Sequence, residues 1–256
     1  MSRKLNVDSE TKKGLETFRA SAAAAAEEVV YKTFPQKVLE LQKLIDSTFD
    51  PSSPFHLTHA PHSTDLTVYP APTSSADHEN KKRKLDSGDA VNGAGVAATP
   101  DYRHVKNPAH MVSNKHNVAI HDQLKRECEL LAELCDKVKL WINLSMPKIE
   151  DGDNFGVQIQ EDVLSELHRS QESAYNLRDA GRQDYLTRAK ICSKIMKYPH
   201  LDDYTLALKE HDEKQLYVAR QNLYDLRSIY AILTDILHKN MDKIRSPKGN
   251  NATSMY

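Results

Sequence analysis

Four positions in one short segment have the spacing of a calcium-binding loop. They occupy positions one, three, six and twelve of an EF-hand register and are Asp151, Asp153, Gly156 and Asp162. Position five is Phe155, which offers no oxygen ligand, and position twelve is Asp in place of the bidentate Glu. The helices predicted on either side are also far too long for this motif. An aromatic residue in a short acidic loop instead predicts an exposed contact surface.

The cysteines and histidines do not form a clear ligand pattern. Cys128 and Cys135 are seven residues apart, which is the spacing of one buried helix face, and no Cys-x-x-Cys pair occurs. Several of the 12 histidines lie among Pro and Ser, where an incidental polar linker is favoured over a weak metal tract. Phosphate loops, nucleophile elbows and paired helical histidines do not occur either. We therefore predict a protein that is not an enzyme and has no metal or cofactor.

The composition indicates long solvated helices around a modest core. The chain has 256 residues, of which 39% are hydrophobic and 28% charged, with only 8 glycines. A net charge of −1 excludes a global field that attracts nucleic acid. The 3 cysteines and the polar opening Met1–Lys4 favour a reducing intracellular compartment, and no apolar run reaches membrane-spanning length.

Apolar residues at intervals of three and four predict four helices. The periodic runs cover residues 7–50, 124–146, 163–198 and 202–244. Pro35 interrupts the first run and should kink it, because proline removes a backbone hydrogen bond. The last two helices are each about 60 Å long at the standard rise, and their short connectors force antiparallel neighbours. The predicted fold class is all-α, an elongated antiparallel four-helix bundle.

The chain order divides the molecule into three regions. Residues 1–50 form helix 1, residues 51–113 a disordered insert, and residues 114–256 the other three helices with a loop and a C-terminal tail. The insert is rich in Pro, Ser, Thr and Gly, so it cannot bury enough apolar surface to offset its ordering entropy. The antiparallel topology predicts that loop 148–157 and tail 246–256 share one end of the bundle. The insert leaves from the opposite end.

A basic run inside the insert suits recognition by a nuclear import receptor. It consists of Lys81, Lys82, Arg83 and Lys84. An ordinary solvated charge patch is the plainer alternative. Nucleic-acid binding is the weakest interpretation, because no aromatic residues alternate with the basic ones. We therefore predict a nuclear protein, with the cytoplasm as a second compartment, and no specific nucleic acid or membrane partner.

Four segments resemble the 11S (REG) proteasome activator family, and the one at 147–160 is similar to its activation loop. These segments are 34–41, 147–160, 187–200 and 254–256. The basic insert Lys81–Asp86 is similar to that of the nuclear gamma type. The resemblance extends over nearly the whole chain outside the insert.

The resemblance implies a homoheptameric ring that binds the alpha ring of the proteasome core and opens its gate. Unstructured proteins and peptides would then enter without ATP or ubiquitin. The activation loop implied by the resemblance contains Glu150, Asp151, Gly152, Asp153, Asn154, Phe155 and Gly156. The implied tail that binds a pocket in the core contains Ser254, Met255 and Tyr256. Lys190 is implied as a channel residue that influences which peptides pass, and a solvated helix face is its alternative.

Two positions depart from the family pattern. Asp153 stands where Asn is usual and adds a negative charge to the loop, and Met255 stands where Leu is more usual. The second change nearly conserves volume and should be tolerated. The competing function is a nuclear coiled-coil scaffold without proteasome activity, which would tolerate loss of Tyr256.

Overall fold

The structure, a computed structural model, describes residues 8–70, 109–148 and 155–248. The elements of these ranges are α1 Ser9–Glu28, a π-helical turn Val29–Thr33, α2 Phe34–Ser47, a 3₁₀ turn Leu57–His59, α3 Ala60–Ser63, β1 Tyr69–Pro70, β2 Ala109–His110, α4 Lys115–Ser145, α5 Phe155–Lys197 and α6 Asp202–Arg245. The two strands pair antiparallel. In these ranges no helix is long and apolar enough to cross a membrane.

The first predicted helix is interrupted before Pro35 by a π-helical turn, where the hydrogen bonding departs from the regular α-helical pattern. Asp8 caps α1, where its Oδ1 accepts a hydrogen bond from the backbone N–H of Thr11 at 2.9 Å. The π-helical turn stands between α1 and α2, and the N–H of Phe34 bonds to the carbonyl of Val29. Pro35 follows immediately and has no N–H to donate. One extra residue in the preceding turn makes room for its ring.

The long helices enclose a main hydrophobic core, and a smaller cluster of Cys192, Ile195 and Leu208 lies apart from it. Helix α4 packs against α5 and α1, and α6 packs against α5 and α2. Phe34 and Tyr230 meet edge to face in the centre with ring centroids 5.6 Å apart, and both side chains are fully buried. Helices α5 and α6 have 43 and 44 residues, which is about 65 Å at 1.5 Å per residue. The predicted all-α, elongated four-helix bundle is therefore confirmed.

The insert is shorter than the predicted 51–113. Residues 51–70 and 109–113 pack against the bundle, and Phe55 in the first of these ranges is fully buried. The sequence did not reveal this, because buried residues in turns have no helical or strand period. The basic run Lys81–Lys84 lies outside the described residues.

A buried ion pair anchors both flanks of the insert. Arg188 on α5 donates from Nε to Asp212 on α6 at 3.0 Å, and both side chains are buried. Asp212 Oδ2 also accepts from Thr64 Oγ1 at 2.9 Å and from Asn114 Nδ2 at 3.0 Å. Arg188 Nη1 donates to the carbonyl oxygen of Val112 at 2.9 Å. Thr64 precedes the insert and Asn114 follows it, so the carboxylate of Asp212 holds both flanks of the insert.

Candidate docking end of the bundle

The start of α5 and the end of α6 meet at one end of the bundle. A Cβ built on Gly156 would lie 2.0 Å from the carbonyl oxygen of Pro247, so only glycine permits this approach. Gly156 closes the loop that follows α4, and Pro247 begins the tail that follows α6. The structure thus confirms that the loop and the tail leave the bundle side by side.

A buried glutamine joins three helix termini behind this contact. Gln160 is fully buried on α5, and its Nε2 donates to the carbonyl oxygen of Ile244 at 2.7 Å. The same nitrogen lies 3.3 Å from Ser145 Oγ at the end of α4. The last carbonyls of a helix have no intrahelical partner, and Gln160 supplies one to α6. Sequence reasoning missed Gln160, because a sequence pattern assigns a glutamine near the start of a helix to the solvated surface.

Part of the predicted loop is visible at this end. Phe155 is the first residue of α5 and is 61% exposed, as expected for a contact residue. Because α5 begins there, residues 155–162 are helical and cannot wrap around a cation as an EF-hand loop does. The remaining loop residues, Glu150, Asp151, Gly152, Asp153 and Asn154, lie outside the described residues. The same holds for Ser254, Met255 and Tyr256 of the tail.

Lys190 lies far from the docking end. Its side chain is exposed on α5, about 50 Å along the helix from Phe155 at the standard rise. The structure therefore does not bring Lys190 together with the loop and tail residues. Any effect of Lys190 on peptide passage must be separate from contacts at the docking end.

The cysteines occupy core positions, as their spacing predicted. Cys128 and Cys135 are almost completely buried on α4. Burial raises the pKa of both thiols to about 12, so neither forms a thiolate near neutral pH. Over the described ranges no group of three or more His, Cys, Asp or Glu residues has the arrangement of a metal site.

A second buried carboxylate lies between two histidines, away from the docking end. Asp184 on α5 has Oδ1 2.7 Å from His211 Nε2 on α6, and Oδ2 3.4 Å from His121 Nε2 on α4. Burial raises the pKa of Asp184, but the adjacent imidazoles of His121 and His211 outweigh it and lower the pKa to about 2. Gly181 permits this packing, since a Cβ there would lie 3.2 Å from His121 Cβ.

The acid sensitivity of the bundle should depend on Asp184. Its folded-state pKa is depressed, so its stabilising contribution is present above the unfolded pKa near 4 and is lost as the pH falls from about 4 to about 2. Between about pH 4 and pH 2, the free energy of unfolding should decrease less in Asp184→Asn than in the wild type, by on the order of 2 kcal/mol. Urea unfolding at several pH values measures this. Asp179→Asn, at an exposed carboxylate on the same helix, is the control and should retain the wild-type pH slope. Equal slopes for wild type and Asp184→Asn would contradict the assignment.

The described residues form an elongated helical bundle in which the end of α4, the start of α5 and the end of α6 meet. Two family profiles match the chain: "Proteasome activator PA28, N-terminal" over residues 9–60 and "Proteasome activator PA28, C-terminal" over residues 110–254. The chain belongs to the PA28 proteasome activator family.

Individual relatives agree with this assignment. Human "Proteasome activator complex subunit 3" is 37% identical over 260 residues, which covers 98% of both chains. Human "Proteasome activator complex subunit 2" is 28% identical over 252 residues, again covering 98% of both. The crystal structure of the 11S subunit PA28 of Plasmodium falciparum superposes with a TM-score of 0.70 at 28% identity, and covers 97% of this chain and 99% of that one.

Proposed function

We propose that this chain is a subunit of a ring-shaped proteasome activator that binds the ends of the core particle and opens its gate. Family membership over nearly the whole chain supports the class of function. The observation that carries the mechanism is the contact between Gly156 and Pro247, because it places the root of the loop against the root of the tail. The chain acts as a regulator of proteolysis and catalyses no reaction itself. Family membership does not favour the scaffold alternative.

The tail binds the core particle, and the loop opens its gate. Ser254–Tyr256 inserts into a pocket between alpha subunits of the core, while Glu150–Gly156 contacts the gate region. Seven weakly binding tails of a homoheptamer act together and gain affinity by avidity. Only a contact that favours the open gate shifts the gate equilibrium, so binding and opening are separable. Peptides and unstructured proteins then enter without ATP or ubiquitin. Lys190 lines the channel and influences which peptides pass.

The subtype is a nuclear, gamma-like activator. Identity to the human subunit 3 is 37%, against 28% to the human subunit 2. The run Lys81–Lys84 supplies a segment for an import receptor, with the cytoplasm as a second compartment. Appearance of a fluorescent fusion in the nucleus, lost when all four basic residues become alanine, tests this proposal.

Hydrolysis of fluorogenic peptides by latent core particles tests the activator function. The wild-type chain should increase the hydrolysis rate at least about tenfold, because opening the gate removes the barrier to entry. Asn154→Tyr should bind the core with wild-type affinity yet stimulate little, because it alters only the contact with the gate. Binding is measured separately by co-sedimentation. An intact ring that neither binds nor stimulates the core would refute the proposed function.

A further inference from the structure

We propose that Gln160 is a positioning residue that couples the tail to the activation loop. When the tail binds the core particle, this coupling holds the loop at the distance from the gate that opening requires. This inference rests on the proposed function and adds a residue outside the loop and the tail. Its basis is that one buried side-chain amide on α5, just after the loop, bonds to the end of α4 before the loop and to the end of α6 before the tail.

The contacts of Gln160 lie at the roots of both functional segments. Its Nε2 bonds to the carbonyl oxygen of Ile244 at 2.7 Å, three residues before Pro247. The same Nε2 lies 3.3 Å from Ser145 Oγ, at the last residue of α4 before the loop. Gln160 itself stands one turn after Phe155–Gly156, where the loop ends. A single amide therefore fixes the distance between the entry to the loop, its exit and the tail.

Gly156 adds a second contact on the same face of α5. Residues 156 and 160 are four apart and thus neighbours on one side of the helix. Gly156 lies against the backbone of Pro247, and Gln160 binds the backbone of Ile244. Two contacts one helical turn apart fix the direction of a segment as well as its distance. The backbone of Ser246, with φ −137° and ψ 73°, leaves the helix between them.

Burial makes this arrangement rigid. Gln160 is fully buried, so water cannot readily replace its bond to the Ile244 carbonyl. Arg245 also binds Glu27 on α1, with Nε and Oε1 2.9 Å apart, and thereby ties the end of α6 to the bundle. When the tails bind the core, the loop is therefore presented at a position set by these contacts and not by the tails alone.

Gln160→Met tests the inference, because methionine conserves the volume and removes the amide donor. At saturating activator, we expect maximal stimulation of peptide hydrolysis to fall about three- to tenfold. The half-saturating activator concentration should change less than about twofold, since the tail residues that bind the core are unaltered. Gln158→Met is the matched control, because Gln158 is exposed on the same turn and, among the described residues, binds only Asp162 of its own helix. It should behave as wild type.

A second readout does not depend on the core particle. In the isolated ring, amide hydrogen exchange of residues 159–162 on α5 and of residues 244–246 at the end of α6 should accelerate together in Gln160→Met and remain unchanged in Gln158→Met. Gly156→Ala, which must displace the Pro247 backbone, should give the same joint acceleration and the same loss of maximal stimulation.

The possible outcomes separate the two proposals. If the wild-type ring fails to stimulate the core, the proposed function fails. If the wild type stimulates and Gln160→Met retains its maximal stimulation, the coupling is refuted and the amide merely satisfies internal groups. An increase in half-saturating concentration alone refutes it as well. If Gln160→Met does not form rings, Gly156→Ala decides by the same criteria.

Discussion

Arg188→Met is expected to destabilise the protein by about 3–5 kcal/mol, because it leaves the carboxylate of Asp212 buried without its cation. Asp212 is 1% exposed and, within the described part of the chain, would keep only Thr64 and Asn114 as side-chain hydrogen-bond donors. The main-chain carbonyl of Val112 would lose its donor as well. Urea unfolding at fixed protein concentration measures the loss, since the stability of an oligomer depends on concentration.

The same substitution at Arg182 is the matched control. Arg182 lies on the same helix and pairs with Asp179 through an exposed contact of 2.6 Å. Exposed pairs contribute at most about 1 kcal/mol, so Arg182→Met should unfold near the wild-type denaturant concentration. Arg188→Met combined with Asp212→Leu should recover part of the lost stability, because the unpaired buried charge is gone. Equal effects at positions 188 and 182 would contradict the importance of burial.

Deletion of Tyr256 is expected to weaken binding to the core particle by more than about a hundredfold. In the proposed homoheptamer, each of the seven tails would lose the Tyr256 side chain, and avidity multiplies a small loss per tail. Surface plasmon resonance on immobilised core particles measures the affinity, and peptide hydrolysis should decrease in parallel.

Met255→Leu is the control for the tail. It restores the residue usual in the family and nearly conserves volume, so binding should stay within about threefold of wild type. Both variants should form rings of unchanged size. Undiminished binding after deletion of Tyr256 would remove the tail from the mechanism and favour a scaffold function.

The helices were predictable because their signal is periodic. Leu216, Leu223 and Tyr230 on α6 recur every seven residues and are all buried, as the pattern requires. Antiparallel order and short connectors then placed the loop and the tail at one end without further information. Cys128 and Cys135 followed the same rule on α4.

Buried polar contacts were not predictable in this way. Asp212, Asp184 and Gln160 are buried polar residues, and a sequence pattern assigns such residues to the solvated face. Their partners lie on other helices, so no local spacing reveals them. For the same reason the predicted insert was too long, since Phe55 is buried by contacts that local periodicity cannot show. Of the predicted site, the structure positions Phe155, Gly156 and Lys190, while the central loop and the final tail residues remain sequence predictions.

The shared anchoring of Thr64 and Asn114 on Asp212 makes the insert a separable module. The short strand pair, in which Tyr69 lies opposite His110, brings the two ends of the insert to adjacent positions. A change between these two ends therefore need not alter the packing of the bundle. Doubling the length of such a loop costs only about 0.6 kcal/mol of closure entropy. A small folded domain with adjacent termini, grafted between residues 70 and 109, would thus be carried at the end remote from Gly156. The position between residues 70 and 109 is therefore an insertion site for reporter domains or substrate-recruiting domains.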